Sequence, residues 1–508
     1  MKTLVSSICF CLVLVISGAS ICAQSANGFS EKSYKRARQV LDDGVRALGG
    51  NDIFRSTEDI SIRYSGKAFE QGQSANPKAP YYVRHEEGMR ILDVRSNRSS
   101  FESKTSYLGG PPTSDRQVLN DKASFTLDLV AKVIYPIAPT AVASRTRSNR
   151  RLFPHLLLQE ALSRASTLRW LGNEADKGRE QVITFADVGG NQIALYFDSS
   201  THLLTKFETM ADDPIYGDVE RESLFADYRD VSGLKLPSRL VLKNAGEVVS
   251  DLQYDDIRVN THPSKEIFQA PRDFEKGPET LGPISPAVTK LAEGVYFLNG
   301  MSAGSFWFYS QLFVVFKDYV LVVDSPLGNG ISQLVIAKIK ELIPGKPIKY
   351  LVPTHYHYDH LWGVRAYLAE GATVVTTPGN KDLIEAIAAA PHTINPDALS
   401  RSGRKPLIET FTSKRIISDG DRTVELYNIG PNPHVDEIII VYLPREKILF
   451  VTDLCMTRIT GPIPPTGPTN VDFAQKIRKL DLQIETIASG HGWLGTMKAF
   501  QDALMDSK

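Results

Sequence analysis

The sequence predicts an α+β molecule in two parts, an antiparallel sheet with a helix packed on it followed by a layered α/β domain. Three observations carry this expectation. The chain has 508 residues, more than one ordinary core organises, and its 42% hydrophobic and 23% charged content is globular. Hydrophobic periodicity then changes along the chain, from alternation at period two to continuous apolar runs separated by helical stripes. Between them, "GPETLGPISP" (277–286) carries breakers and no amphipathic period, which marks a linker. The expected domains are therefore 28–276 and 287–508.

The chain opens with Lys2, an apolar run from Leu4 to Ile16 and small residues ahead of Ala23. This pattern reads as an export signal over 1–23, too short to span a bilayer comfortably. It places the protein in a periplasm or outside the cell, with no stable membrane insertion; an uncleaved anchor is the alternative. Cys9, Cys11 and Cys22 fall in the signal, so Cys455 alone remains and no intramolecular disulfide forms.

In the first domain, "SYKRARQVLDDGVRALGG" sets Ala37, Val40, Leu41, Val45 and Leu48 on one helical face that stops at Gly49 and Gly50. Alternating strands follow, among them "IALYFD", "HLLTKFETM" and "LKLPSRLVLKNAGEVVSDLQYDDIRV", the last turning at Asn244 to Gly246. In the second domain, "QLFVVF", "YVLVVD", "IKYLVP", "TVVTT", "IIIVYLP" and "KILFVTD" read as strands. A helix is expected from Ile331 to Leu342, with Leu334, Val335, Ile339 and Leu342 on its stripe.

Chemistry concentrates at "THYHYDHLWG" (354–363), which holds three of the chain's ten histidines. Imidazoles so crowded need a cation to organise them. On a loop leaving a strand, His355 and His357 can point the same way while Asp359 and His360 diverge, so one loop can feed two metals. Zinc takes about four ligands per ion. The missing donors are found at His434 in "GPNPHVDE", Asp453 in "KILFVTD" and His491 in "ASGHGW". Lys plus Arg equals Asp plus Glu at 58 each, so no net field favours a nucleic acid.

The order His-x-His-x-Asp-His, isolated His, strand-end Asp and late His resembles the metallo-β-lactamase superfamily over roughly Ser285 to Lys508. The resemblance implies an αββα sandwich with the metals at one edge. It assigns His355, His357 and His434 to one metal, Asp359, His360 and His491 to a second, and Asp453 to the bridge. Asp324 in "VVDSP" takes a supporting role behind the ligands. Asp359 could also accept a proton from the nucleophile. His85, His155, His202 and His262 have no partners in sequence, and His392 is read as structural.

Trp362 and Val435 depart from the family pattern and concern the rim and substrate preference. Cys455 could also reach the rim if the strand through Asp453 continued; a small buried hydrophobe is the other reading. The proline- and glycine-rich loop Met456 to Asn470 would shape the rim. An aspartate bridge resembles the lactonase, thioesterase and phosphodiesterase branches, while the short interval from Leu454 to Gly490 lacks the insertion of nucleic-acid-processing members. The first domain resembles, less specifically, the half-barrel of periplasmic lipoprotein carriers, and it could hold an acyl chain or simply dock. The expected function is a dinuclear zinc hydrolase, whose site could also take other divalent metals, that cleaves a small ester-like substrate such as a lactone. The alternatives are β-lactam hydrolysis and an exported lipid-binding protein with a structural metal.

Overall fold

A computed structural model describes residues 28–173, 179–277, 286–302, 308–457 and 467–506. The signal expected over 1–23 and nearly all of the linker lie outside these residues, as does 458–466 of the rim loop.

Burial against the N-terminal sheet orders the first domain. Helix Phe29–Ala47 buries Ala37, Val40, Leu41 and Val45, the face the sequence marks out, and a second helix, Gly50–Ser56, follows directly. These side chains join one apolar cluster with Ile60, Ile62, Ile183, Phe185, Leu195, Phe197 and Leu252. The cluster thus draws on strands from the middle and from one end of a 14-stranded sheet. Its ladders are antiparallel except where Glu275–Lys276 runs parallel to Val133–Pro136. The hairpin at Asn244 to Gly246 joins Leu234–Asn244 to Glu247–Val259. Besides Gly50–Ser56, the helices Pro139–Arg151 and Pro154–Ser163 were not expected, the latter burying Leu156, Leu157 and Leu158 in the same cluster.

The second domain stacks a seven-stranded sheet and a six-stranded sheet. Strands Phe308–Val315, Val320–Val323, Ile439–Leu443 and Ile448–Val451 are buried nearly throughout, because both of their faces are covered. Side-chain alternation divides the work. Leu321, Val323, Val441 and Phe450 fill the space between the sheets, whereas Val320, Val322, Tyr442 and Leu449 join the core beneath the outer helices. The result is an αββα layering.

Helix Asn329–Leu342 corrects the expected stripe. Ser332, Val335, Ile336 and Ile339 are buried, while Leu334 and Leu342 are 44% and 39% exposed. The buried face is turned toward Ser332 and Ile336, so an apolar residue at each margin is left in water.

Ile215 of the first domain packs into the second domain's apolar core, and polar contacts add to this seam. Asp218 accepts from the Thr393 and Ile394 backbone at 2.7 and 3.1 Å, and its own N–H donates to Pro391 O at 2.7 Å. His392 donates from Nδ1 to Asp212 at 2.5 Å, so this buried ring is an interdomain tie. Among the described residues no helix is long and apolar enough to cross a membrane.

Candidate metal centre

The site lies where strands of both sheets end. Strand Ile348–Val352 runs into Thr354, His355 and His357, and the short helix Tyr358–Leu361 then carries Asp359 and His360. His434 lies between Thr423–Asn428 and Ile439–Leu443. Asp453 follows Ile448–Val451, and His491 follows the parallel strand Thr486–Ser489. A hydrogen bond from Ile439 N to Thr354 O, 2.7 Å, ties the two sheets together beside the site.

These positions converge on two triads, one fully buried and one whose Asp359 is partly exposed. Ligand atoms of His355, His357 and His434 lie within 4.8 Å of one another, as do those of Asp359, His360 and His491, and those of His355, His360 and Asp453. Asp453 stands between the triads: its Oδ2 is 3.5 Å from His355 Nε2 and 3.0 Å from His360 Nε2. Its Oδ1 is 3.5 Å from His434 Nε2 and 3.3 Å from His491 Nε2.

The outward nitrogens are tied down, and this fixes which nitrogens face inward. His355 Nδ1 donates to Thr354 Oγ1 at 3.1 Å, and that hydroxyl donates to Asp324 Oδ2 at 3.2 Å. His360 Nδ1 donates to the same Asp324 oxygen at 2.8 Å. Asp324 also accepts from Thr354 N at 2.6 Å, and it sits at φ 63°, a left-handed conformation that a non-glycine residue holds only under constraint. His357 Nε2 donates to Ser74 O at 2.8 Å, and His434 Nδ1 to Leu108 O at 3.1 Å. The inward atoms His355 Nε2, His357 Nδ1 and His434 Nε2 are then buried with no hydrogen-bond partner among the described residues. Three orphaned imidazole nitrogens converging beside a carboxylate fit a borderline cation such as zinc.

Charge is distributed unevenly over the centre. Burial, reinforced by the neighbouring histidines, holds His355 well below the ordinary imidazole range and pushes His357 down to about 3. At His491 burial opposes the charge, yet Asp453 and Asp359 outweigh it and raise the pKa to about 9. His360 is likewise raised against burial by Asp359, Asp324 and Asp453. Asp359 and Asp453 are both held low against burial by the surrounding histidines.

A cavity of about 390 Å³ opens over the site. Tyr309, Tyr358, Trp362, Met456 and Asn470 line it from the C-terminal domain, and Glu70, Gln73, Arg84, Tyr107 and Pro111 from the N-terminal one. Trp362, read from the sequence as a rim residue, lines this cavity. Cys455 does not: it is fully buried in the apolar core, and burial raises its thiol to about 12. The strand ends at Val451 and the chain folds back through a Cys455 N to Thr452 O bond, so strand alternation no longer carries Cys455 to the side of Asp453. Sequence reasoning missed Gln73, whose Nε2 donates to Asp359 Oδ1 at 2.6 Å, and Tyr309, whose hydroxyl donates to Asp359 Oδ2 at 3.2 Å. It also missed the carbonyls of Ser74 and Leu108. A carbonyl carries no residue signature.

Comparison with known proteins addresses the second domain. Residues 305–491 match the family model of the metallo-beta-lactamase superfamily. The 2,4-dinitroanisole O-demethylase subunit alpha of Nocardioides sp. (strain JS1661) is 24% identical over 186 residues, 36% of this chain and 52% of that protein. The chain thus spans about half the length of this curated relative. Among solved structures, a metallo-beta-lactamase from Pontibacter korlensis is 23% identical and covers 43% of this chain and 97% of its own, with a TM-score of 0.35. The FIM-1 metallo-beta-lactamase of Pseudomonas aeruginosa in its mono-zinc form is 20% identical, over 44% and 95%, with a TM-score of 0.33. By the family match, residues 305–491 of this chain are similar to the metallo-beta-lactamase superfamily.

Proposed function

We propose that the protein is an exported metal-dependent hydrolase that holds two zinc ions and cleaves a small ester-like bond, lactones and related acyl compounds ahead of β-lactams and phosphodiesters. The supporting observation is the set of three orphaned imidazole nitrogens converging beside half-buried Asp453, with a second triad on its other side. Cations bound there supply acidification of water and polarisation of a carbonyl oxygen. His355, His357 and His434 would hold one ion, Asp359, His360 and His491 the other, with Asp453 shared. Asp359 is the proton acceptor. Its Oδ2 faces His491 Nε2 at 3.5 Å, and the Gln73 and Tyr309 hydrogen bonds fix the carboxylate's plane. Burial and the Asp359 and Asp453 charges keep the Tyr309 hydroxyl protonated, so it acts as a donor throughout. Trp362, Tyr107 and Met456 form apolar walls against which a ring or short acyl chain packs.

The test compares turnover of a lactone, a thioester, a β-lactam, a phosphodiester and an aryl methyl ether, the last suggested by the name of the Nocardioides relative. Each is assayed before and after chelation and again with His355→Ala. Chelator-sensitive lactone turnover, abolished in the variant, is expected. Sensitivity confined to another substrate overturns the ranking, and turnover indifferent to chelator and variant overturns the metal reading.

A further inference from the structure

Two loops of the N-terminal sheet reach the imidazoles themselves. Ser74 lies between strands Asp59–Glu70 and Tyr82–Asp93, and Leu108 between Arg98–Ser106 and Pro112–Leu119. Their carbonyls accept from His357 Nε2 and His434 Nδ1. A carbonyl oxygen can only accept, so the nitrogen facing it carries the hydrogen and the opposite nitrogen keeps its lone pair. Those opposite atoms, His357 Nδ1 and His434 Nε2, are two of the three orphaned nitrogens.

We propose that the N-terminal domain is a built-in part of the metal centre, its Ser74 and Leu108 carbonyls setting the tautomer and aim of His357 and His434 so that the site is complete only with this domain docked. The inference rests on the metal-binding reading above.

Both loops are anchored for the purpose. Tyr356 OH donates to Ser74 O at 2.5 Å, Asp436 N donates to Ala75 O at 2.7 Å, and Thr469 Oγ1 donates to Gly109 O at 2.9 Å. Glycine permits the approach. A Cβ on Gly72 would lie 2.2 Å from the Tyr358 ring, and one on Gly109 would lie 2.3 Å from Thr469 Oγ1 and 2.8 Å from Pro433 O, at φ +72°. A face that merely docked would not need backbone oxygens directed at metal-binding rings.

The experiment uses the full chain freed of metal. Zinc affinity is measured by competition with a chromophoric chelator, the ligand field by cobalt absorption, and ring tautomers by histidine 15N NMR. Gly109→Val pushes the Leu108 loop off Pro433; Thr469→Val removes one anchor without adding bulk. Outer partners of metal-binding histidines are commonly worth about 10- to 100-fold in affinity. Gly109→Val should weaken zinc binding at the His355, His357 and His434 site by about that much and change the cobalt spectrum, with a few-fold loss for Thr469→Val. The metal-free wild type should carry hydrogens on His357 Nε2 and His434 Nδ1. Should Gly109→Val fail to fold, Thr469→Val and the tautomers decide. Folded variants with wild-type affinity and cobalt spectrum, or hydrogens on the other nitrogens, overturn the inference. A wild type that binds no zinc overturns the metal reading itself.

Discussion

His355, His357 and His434 form a nitrogen-only triad in which burial holds His355 and His357 uncharged, whereas His360 and His491, a few ångströms away, share their space with Asp359 and Asp453, which raise both. Their supports differ as well. Two rings of the first triad lean on backbone carbonyls of the N-terminal domain, while His360 leans on Asp324 within its own domain. The difference teaches that one constellation can contain a site ready to ligate and another that must first give up protons. A divalent cation entering the first displaces none from His357, and one entering the second displaces at least one. The first site should therefore be the tighter at neutral pH.

The largest effect should come from removing what the triads share. Asp453→Ala deletes the one carboxylate within 3.5 Å of His355, His360, His434 and His491. It takes from His491 its nearest carboxylate and from His360 one of the two that lie within 3.0 Å. Turnover should fall by more than the about 100-fold that an outer partner is worth, and metal analysis should show less than one zinc per chain. Full occupancy of both sites in this variant would remove Asp453 from the bridge.

A smaller, one-sided loss should follow Asp324→Asn. The amide keeps the volume, and it can still accept from Thr354 N with its single oxygen. It then turns an NH₂ toward His360 Nδ1, where an acceptor stood at 2.8 Å. His360 loses its orientation directly, and His355 is affected only through Thr354. The weaker site should lose about 10- to 100-fold in zinc affinity and the tighter site less. Equal losses at both sites would show that Asp324 serves the two triads alike.

The asymmetry explains what could be read from the sequence. Donor identity is written in side chains, and the spacing of His355, His357, Asp359 and His360 with His434, Asp453, His491 and Asp324 led to residues that the fold brings together. Continuous apolar runs such as "KILFVTD" gave the strands because both faces of those strands are covered. Support from the other domain could not be read, since Ser74 and Leu108 act through atoms that every residue possesses. Helix Pro139–Arg151 buries no residue and so leaves no apolar stripe to detect. In helix Pro154–Ser163 the run "PHLLLQEALS" is too uniformly apolar to show a period. Cys455 turned inward because a strand that ends two residues before Asp453 no longer alternates.

Titration should resolve the triads without any substitution. His491 is raised to about 9, so below that pH a cation must displace its proton, and apparent affinity should rise by about tenfold per pH unit for each proton released, levelling off above it. His357 lies near 3, so its site should show no slope from this ring across the neutral range. In the metal-free protein the sign for stability is opposite. A raised His491 contributes stability that is fully present below its unfolded value and is lost as pH rises through about 9. Calorimetric zinc titrations in buffers of different ionisation enthalpy would count the protons released at each step; equal counts for the two zinc ions would dissolve the comparison.

The smallest effect should come from Cys455→Ala. A thiol at the rim would be a soft donor within reach of the cations, and its loss would alter cobalt absorption through the sulfur-to-metal band. The thiol instead sits in the core with Leu454 and Phe473, with no accessible surface, and the Cys455 carbonyl is occupied by the Ser489 hydroxyl at 2.8 Å, a contact that alanine retains. The substitution therefore removes one buried sulfur and leaves a small void, costing about 1 kcal/mol of stability. Zinc content, the cobalt spectrum and turnover should all match wild type while the unfolding midpoint drops slightly. A changed cobalt spectrum at unchanged stability would return Cys455 to the rim and make the second triad a mixed sulfur, nitrogen and oxygen site.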